Sequence, residues 1–297
     1  MNYKRVIRNQ QTRIKILKLF KWIPDKWMVK IQYLIKFGFW PNFNKPKRFS
    51  EKLQLYKIHY RDPKMTRCVD KYTVRTYIKE KGYENILTHL YGIYNNLNDI
   101  DFDSFPEKIV VKSTTGGGGL NVIIVKNKSE RDIEEIKKSI NSWNVHRKGN
   151  VCSGREWAYY DMADTRILVE ELLEDPASND LLDFKFFCFN GKPFCVQVDS
   201  SRQSNHHQNY YDVDWNSLGV YCSYPQGDII EKPINFDKML TIAADLSKDF
   251  PFVRVDLYNI QGIIYFGEMT FYPSSGYGKF HPDSFDYVLG DLFTKYK

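Results

Sequence analysis

Four consecutive glycines, Gly116 to Gly119, sit between two short β-branched runs, Lys108 to Lys112 and Val122 to Val125, and no other feature restricts the chain as strongly. The flanking runs favour strands, so the stretch reads as a hairpin with a long glycine tip. Such a tip lets the backbone approach phosphate oxygens and aim N–H groups at them, while Lys112 at the end of the first strand supplies a fixed cation. A Walker loop is excluded because no Gly-Lys-Ser/Thr follows, and a dinucleotide fingerprint is excluded because a strand, not a helix, comes next. A glycine run alone is as readily a flexible loop. Lys112 and the following strand are what raise this one to a phosphate site.

A second hairpin lies downstream. Phe252 to Tyr258 and Ile263 to Thr270 form two strands around the Asn259 to Gly262 turn. Strand alternation puts Arg254 and Asp256 on one face and the valines and Leu257 on the other, and a polar face of Arg254, Asp256, Glu268 and Thr270 can assemble. Two carboxylates on neighbouring strands are what a magnesium ion bridging nucleotide phosphates requires. Either acid alone reads equally as a solvated edge residue; the pair beside Arg254, ahead of the Pro273 to Gly278 loop, points to metal.

Composition narrows the class. The chain has 297 residues, 42% of them hydrophobic, ample for a packed globular core. Its five cysteines, Cys68, Cys152, Cys188, Cys195 and Cys222, include no CxxC pair, which fits a reducing cytosol. No apolar run approaches the ~20 residues of a bilayer crossing, and no signal-peptide h-region is present, so a cytoplasmic protein is expected. Met1 to Trp40 holds ten Lys or Arg against the single acid Asp25, a balance of +9 in a chain of +7. Apolar residues from Ile14 to Leu34 approximate helical spacing on either side of Pro24, which predicts two amphipathic helices. Their apolar face either packs on the enzyme body with the lysines solvated, or makes peripheral contact with an anionic membrane or with pathway partners. Nucleic-acid binding is not expected, since the body carries no matching basic stripe.

Helices are further predicted over Phe49 to Tyr60, Asp70 to Lys81, Arg131 to Trp143 and Phe236 to Leu246, and strands over Arg166 to Leu173, Phe184 to Phe189 and Phe194 to Asp199, the last two joined at Asn190-Gly191. This is an α+β pattern with antiparallel pairing.

Arg254-Val-Asp256-Leu-Tyr, Gly262, Glu268-Met-Thr270 and Pro273 together resemble the closing metal motif of ATP-grasp ligases. More narrowly, Phe49-Ser-Glu-Lys-Leu-Gln, the Asp70-Lys71-Tyr run, Lys185-Phe-Phe-Cys-Phe-Asn-Gly191, Gln197-Val-Asp199 and Phe266-Gly-Glu-Met-Thr-Phe-Tyr-Pro273 resemble the TupA-like ATP-grasp family of bacterial surface-polysaccharide gene sets, over roughly Asn42 to Gly290. The resemblance implies an ATP-grasp fold of two α+β subdomains with the nucleotide between them, here residues 63–175 with the glycine flap and 176–297 with the metal hairpin, after a basic helical segment, 1–62. It implies ATP and Mg2+ as cofactors. Lys71 and Lys112 would hold the phosphates under a flap of Gly116, Gly117, Gly118 and Gly119, with Lys185 as a further phosphate ligand. Adenine would meet Glu170, Glu171 and Leu173, and Asp183 the ribose. Asp256 and Glu268 would ligate magnesium and Arg254, with Lys112, would stabilise the transferring phosphoryl group. Thr270 departs from the family's usual Asn at the third ligand position.

Only helical sequence precedes Lys71, where most ATP-grasp ligases place a Rossmann-like domain. Acceptor recognition must then come from the helical segment or from the core. Arg202, His206 and His207 in the polar Asp199 to Asn209 loop could bind a sugar carboxylate or phosphate, or the histidines could be plain surface residues; Ser274, Ser275 and Gly276 would line the acceptor end. The resemblance implies an acylphosphate-forming carboxylate–amine ligase acting on a small-molecule or glycan substrate in capsular or cell-surface polysaccharide synthesis. The alternatives are a sugar or glycan kinase using the same site, and a glycosyltransferase-type or glycan-binding protein without ATP turnover.

Overall fold

The computed structural model describes residues 16–17, 19–116, 121–128, 133–143, 147–149, 154–178, 180–202 and 204–296. Gly117, Gly118 and Gly119 lie outside these, as does most of the helix expected before Pro24. The helix expected after it runs from Asp25 to Phe37 (α1) and ends at Gly38, whose amide bonds to the Leu34 carbonyl (2.8 Å). Phe49–His59 forms α2, with Glu51 in its first turn accepting the amides of Asn42, Lys47 and Arg48 at 2.8–3.2 Å. Carboxylates there satisfy donors that the helix itself leaves unpaired.

Helix α2 is buried on every side, so its polar residues had to find partners. Lys52 Nζ donates to the carbonyls of Gly290 (2.8 Å) and Phe293 (3.2 Å) at the end of α7, Ser284–Leu292. Ser50 donates its amide and hydroxyl to Asp286. Gly290 is where the two helices touch: a Cβ there would stand 2.0 Å from the Lys47 carbonyl oxygen and 2.9 Å from the Phe49 amide.

The helix predicted over Asp70 to Lys81 starts later. A separate helix that was not predicted, Pro63–Val69 (α3), follows an Asp62 cap, and Val74–Glu80 (α4) begins only after the Asp70 carboxylate has taken the amides of Tyr72 and Thr73 at 2.9 and 2.8 Å. An aspartate bonding forward in this way competes with helix continuation. Lys71 sits in the break.

Among the described residues, nine strands make two antiparallel sheets. Leu90–Tyr94 (β1), Ile109–Ser113 (β2), Val122–Val125 (β3) and Ile167–Glu171 (β4) are ordered β1-β4-β2-β3, with Lys112 opposite Val122. Ile109, Val111 and Val169 face a core shared with Ile136 and Ile140 of α5, Ile133–Asn141. Asp183–Phe189 (β5), Lys192–Ser200 (β6), His207–Asp212 (β7), Phe252–Ile260 (β8) and Ile263–Thr270 (β9) are ordered β7-β6-β5-β8-β9. Phe184, Phe186 and Cys188 on one face of β5 pack toward α6, Phe236–Ser247, where the Phe186 and Phe236 rings stack at 6.0 Å and Cys188 Sγ reaches the Ala243 carbonyl. Helices α2, α3, α4 and α7 share this second sheet's core. Phe49 alone meets the rings of Phe187, Phe189, Phe252 and Phe293.

Substituting Gly290→Ala forces the backbones of α2 and α7 apart. Urea denaturation is expected to show a loss of about 1–3 kcal/mol, the range for overpacking a well-filled contact; an unchanged midpoint would mean that the contact is looser than described.

Candidate active site

Strand alternation gives each sheet one polar face. On the first, Lys112 of β2 and Glu170 of β4 are diagonal neighbours, since Val110 pairs with Glu170 and Lys112 with Leu168. They form an ion pair, and Glu170 also accepts the Thr88 hydroxyl (2.8 Å). Burial pulls the Lys112 ammonium down, but Glu170 outweighs it and the group stays charged. From the turn between α3 and α4, Lys71 Nζ reaches the Gly116 carbonyl, and its amide bonds to Thr114 (2.9 Å). Burial lowers the Lys71 pKa against the attraction of Glu268. Glu268 of β9 raises the pKa of both Lys71 and Lys112 against the effect of burial.

On the second sheet the register sets Gln197, Lys185, Asp256 and Glu268 side by side across β6, β5, β8 and β9, with Asp199, Asp183 and Tyr258 in the next row. Lys185 Nζ bonds Asp183 and Asp256, the latter at 2.9 Å. Arg254 grips Asp256 with two parallel bonds, Nε to Oδ1 (2.7 Å) and Nη2 to Oδ2 (2.6 Å), and also reaches Glu268 and Thr270, each at 3.2 Å. Burial pushes the Asp256 carboxyl up to about 6, opposed by Arg254 and Lys185. Burial also raises Glu268, but Arg254, Lys71 and Lys185 overcome it and hold that group at about 2.

A bulge makes this row possible. Asp256 pairs with Glu268, yet Leu257 pairs with Phe266, so Gly267 is an extra residue. Phe266 therefore turns into the core while Glu268, two positions on, turns to the polar face. A Cβ on Gly267 would lie 3.0 Å from the Asp256 carbonyl oxygen, which explains the glycine.

The donor set suits magnesium. Carboxylate and hydroxyl oxygens are the hard ligands it takes, and it usually keeps waters and substrate phosphates as well. Among the described residues no group of three His, Cys, Asp or Glu gathers as a complete metal cage. Glu268 is 40% exposed at its side chain against 2% for Asp256, so it presents the open donor. Thr270 gives its proton to Glu268 (2.9 Å) and accepts from Arg254, which steadies the carboxylate it follows. A nucleotide also has somewhere to bond: Asp183 Oδ1 is buried with no hydrogen-bond partner among the described residues.

Of the other predicted residues, Glu171 ends β4 and accepts the His89 amide (2.9 Å), and Leu173 follows without regular structure. Arg202 donates to Asp183 (2.8 Å). His206 stacks on Tyr224 at 3.7 Å and approaches Asp199 to 3.5 Å, and burial, helped by the Arg202 and Lys185 charges and opposed by Asp199, lowers its pKa. Both therefore fold back on the Asp183–Lys185–Asp199 cluster. Ser274, Ser275 and Gly276 form a turn with three successive left-handed residues, φ 50°, 55° and 73°. Its supports were not foreseen. Gln54 Nε2 donates to the Gly276 carbonyl (2.7 Å), Lys57 Nζ to that of Ser275 (2.8 Å), and Tyr277 donates its hydroxyl to Gln32 of α1 (2.7 Å). Glu156 closes on Ser275 from another side. The one available signal was polar residues spaced along a helix, and spacing does not say which carbonyls they meet.

The family model for TupA-like ATP-grasp proteins matches residues 51–294. No curated protein matches the chain. Similar solved structures include the D-alanine–D-alanine ligases of Bacillus anthracis (16% identity, 77% of this chain and 67% of that one, TM-score 0.46) and Helicobacter pylori (15%, 77% and 61%, 0.42). The L-amino acid ligase of Bacillus licheniformis is similar at 12% identity over 77% of this chain and 49% of that one, with a TM-score of 0.42. The chain spans about half to two thirds of the length of these structures. With a family model covering residues 51–294, most of its length, the chain belongs to the TupA-like ATP-grasp family, whose fold takes ATP and magnesium as cofactors.

Proposed function

We propose that this ATP-grasp enzyme is a carboxylate–amine ligase that joins an amino acid to a uronic-acid-type sugar on the cytoplasmic side of bacterial capsular or cell-surface polysaccharide synthesis. The observation that carries the ligase reading is the cation array facing the two carboxylates. Lys71, Lys112, Lys185 and Arg254 converge where phosphate charge would lie, and Asp256 and Glu268 would hold magnesium among them. Magnesium, when bound, supplies Lewis-acid charge at the phosphates. In the first step an oxygen of the substrate carboxylate attacks the γ-phosphorus, the bond to the β-phosphate oxygen breaks and ADP leaves. Arg254, already fixed by its strand neighbours, stabilises the charge on the transferring group without having to reorganise. In the second step the amine nitrogen attacks the acyl carbon, phosphate departs and the amine loses a proton, leaving an amide. Asp183 is suited to hold the ribose through its unbonded Oδ1, and Glu170 to Leu173 to receive adenine.

The chain's own nucleophiles fit a route without a covalent enzyme intermediate. Burial raises the thiols of Cys68, Cys188, Cys195 and Cys222, to about 12 for Cys188 and about 11 for Cys222, so among the described residues no cysteine is a thiolate at neutral pH. The uronic-acid and polysaccharide assignment is supported by the family's surface-polysaccharide motifs and by the polar turn at Ser274 to Gly276, which offers an acceptor wall.

ADP release by the purified chain with magnesium, ATP and a panel of uronic acids and amino acids is expected to require both substrates, to stop with EDTA, and to fall by about a hundredfold or more in Lys112→Met. A product heavier by phosphate rather than by an amino-acid residue would replace the ligase with a kinase. Arg254→Met leaves Asp256 buried beside Lys185 alone and is expected to cost about 3–5 kcal/mol in urea melts, part of it regained when magnesium and ATP are present; no loss would show that the bidentate pair is not what stabilises the hairpin. Lys57→Met, which removes a buried charge at nearly constant volume, is expected to lower kcat/KM for the carboxylate substrate by about ten- to a hundredfold while leaving the KM for ATP unchanged. A parallel change in both would mean that Lys57 supports the fold and not the acceptor turn.

A further inference from the structure

Helix α1 is apolar around most of its circumference. Met28, Val29 and Tyr33 are buried against the body, whereas Trp27 and Ile35 stand 58% and 49% exposed, with Ile31 and Leu34 half-buried. A surface helix ordinarily keeps one apolar stripe and a polar outer face. The exposed series continues to either side of the helix, through Leu19, Phe20 and Trp22 before it and Phe39 and Trp40 after it.

Cations run among these side chains. Lys21, Lys26 and Lys30 lie along this stretch, within a first forty residues that hold ten Lys or Arg. The only acid in the first forty residues is turned inward: Asp25 accepts Arg155 Nη1 (2.8 Å) and the Tyr160 hydroxyl (3.2 Å). Arg155, itself buried, also donates to the carbonyls of Ile23 (3.0 Å) and Phe20 (2.6 Å). One arginine thus removes the segment's negative charge from the outer face and pins the segment to the body.

We propose that this face lies on an anionic lipid bilayer, with Trp22, Trp27 and Trp40 at headgroup depth and the lysines over acidic headgroups. Tryptophan interleaved with lysine on an apolar stripe is the composition of membrane-surface helices. The core of a protein–protein interface is instead depleted of lysine. No helix among the described residues is long and apolar enough to cross a membrane, so the segment lies on the surface and does not span it. Because Gln32 on the inner side of α1 bonds Tyr277, a chain docked this way keeps its Ser274 to Gly276 turn about one helix diameter, ~10–12 Å, from the lipid.

Sedimentation of the full chain with phosphatidylcholine vesicles, with and without phosphatidylglycerol, tests this. The expected result is binding to the anionic vesicles only, reversed by salt and weakened about fivefold for each of Lys21→Gln and Lys26→Gln. The Trp22→Ser/Trp27→Ser variant should lose at least about tenfold while its ADP release in solution is unchanged, which shows that it is folded. Equal binding to both vesicle types, no binding to either, or wild-type binding by the double-tryptophan variant overturns the proposal. A concentration-dependent dimer that this variant dissolves also overturns it, assigning the face to a second copy of the chain.

Discussion

Buried charge neutralised by strand register is the constraint on which the rest of the structure depends. Asp256 is almost wholly out of water, a position a carboxylate holds only with close cationic partners, and the sheet supplies Arg254 two residues away on the same strand and Lys185 directly opposite. That pairing fixes the register of β5 against β8. The bulge at Gly267 then fixes which side of β9 faces the site. Shifting either pair by one residue would turn lysine and aspartate into the phenylalanine core beneath α6. Phosphates and a magnesium ion bring the same two kinds of charge from outside.

The two hairpins were readable because their signals are local. Alternation and a glycine turn specify β2 with β3 and β8 with β9 without knowledge of the rest of the chain, and the register keeps Arg254, Asp256, Glu268 and Thr270 on one face as alternation requires. Asn190-Gly191 likewise joins β5 to β6. Strand β1 had no such signal, for its partner is β4, more than seventy residues away, and β7 reads as a polar loop until Val198 and Val196 stand beside Asn209 and Tyr211. The late start of α4 was hidden for a different reason: Asp70, at the head of a helical pattern, delays the helix only because its carboxylate bonds forward to Tyr72 and Thr73.

The Ser274 to Gly276 turn illustrates the limit of reading by motif. It is held by side chains from α1, α2 and the stretch around Glu156. Lys52, Gln54 and Lys57 look like ordinary helix-surface residues in sequence. In the fold each is buried and bonds to a backbone carbonyl, because α2 runs through the interior. A helix that seems weakly amphipathic is here a polar strut.

That strut has a consequence for the order in which the molecule is made. Lys57 and Gln54 leave the ribosome more than two hundred residues before the carbonyls they support. The β1 to β4 sheet, by contrast, is complete in sequence by Glu171 and has a core of its own. A nascent chain can therefore close its glycine hairpin early, while α2 waits with its lysines solvated. The Ser274 to Gly276 turn meets Gln54 and Lys57 only once that late stretch has been made, so it is among the last parts of the molecule to be braced.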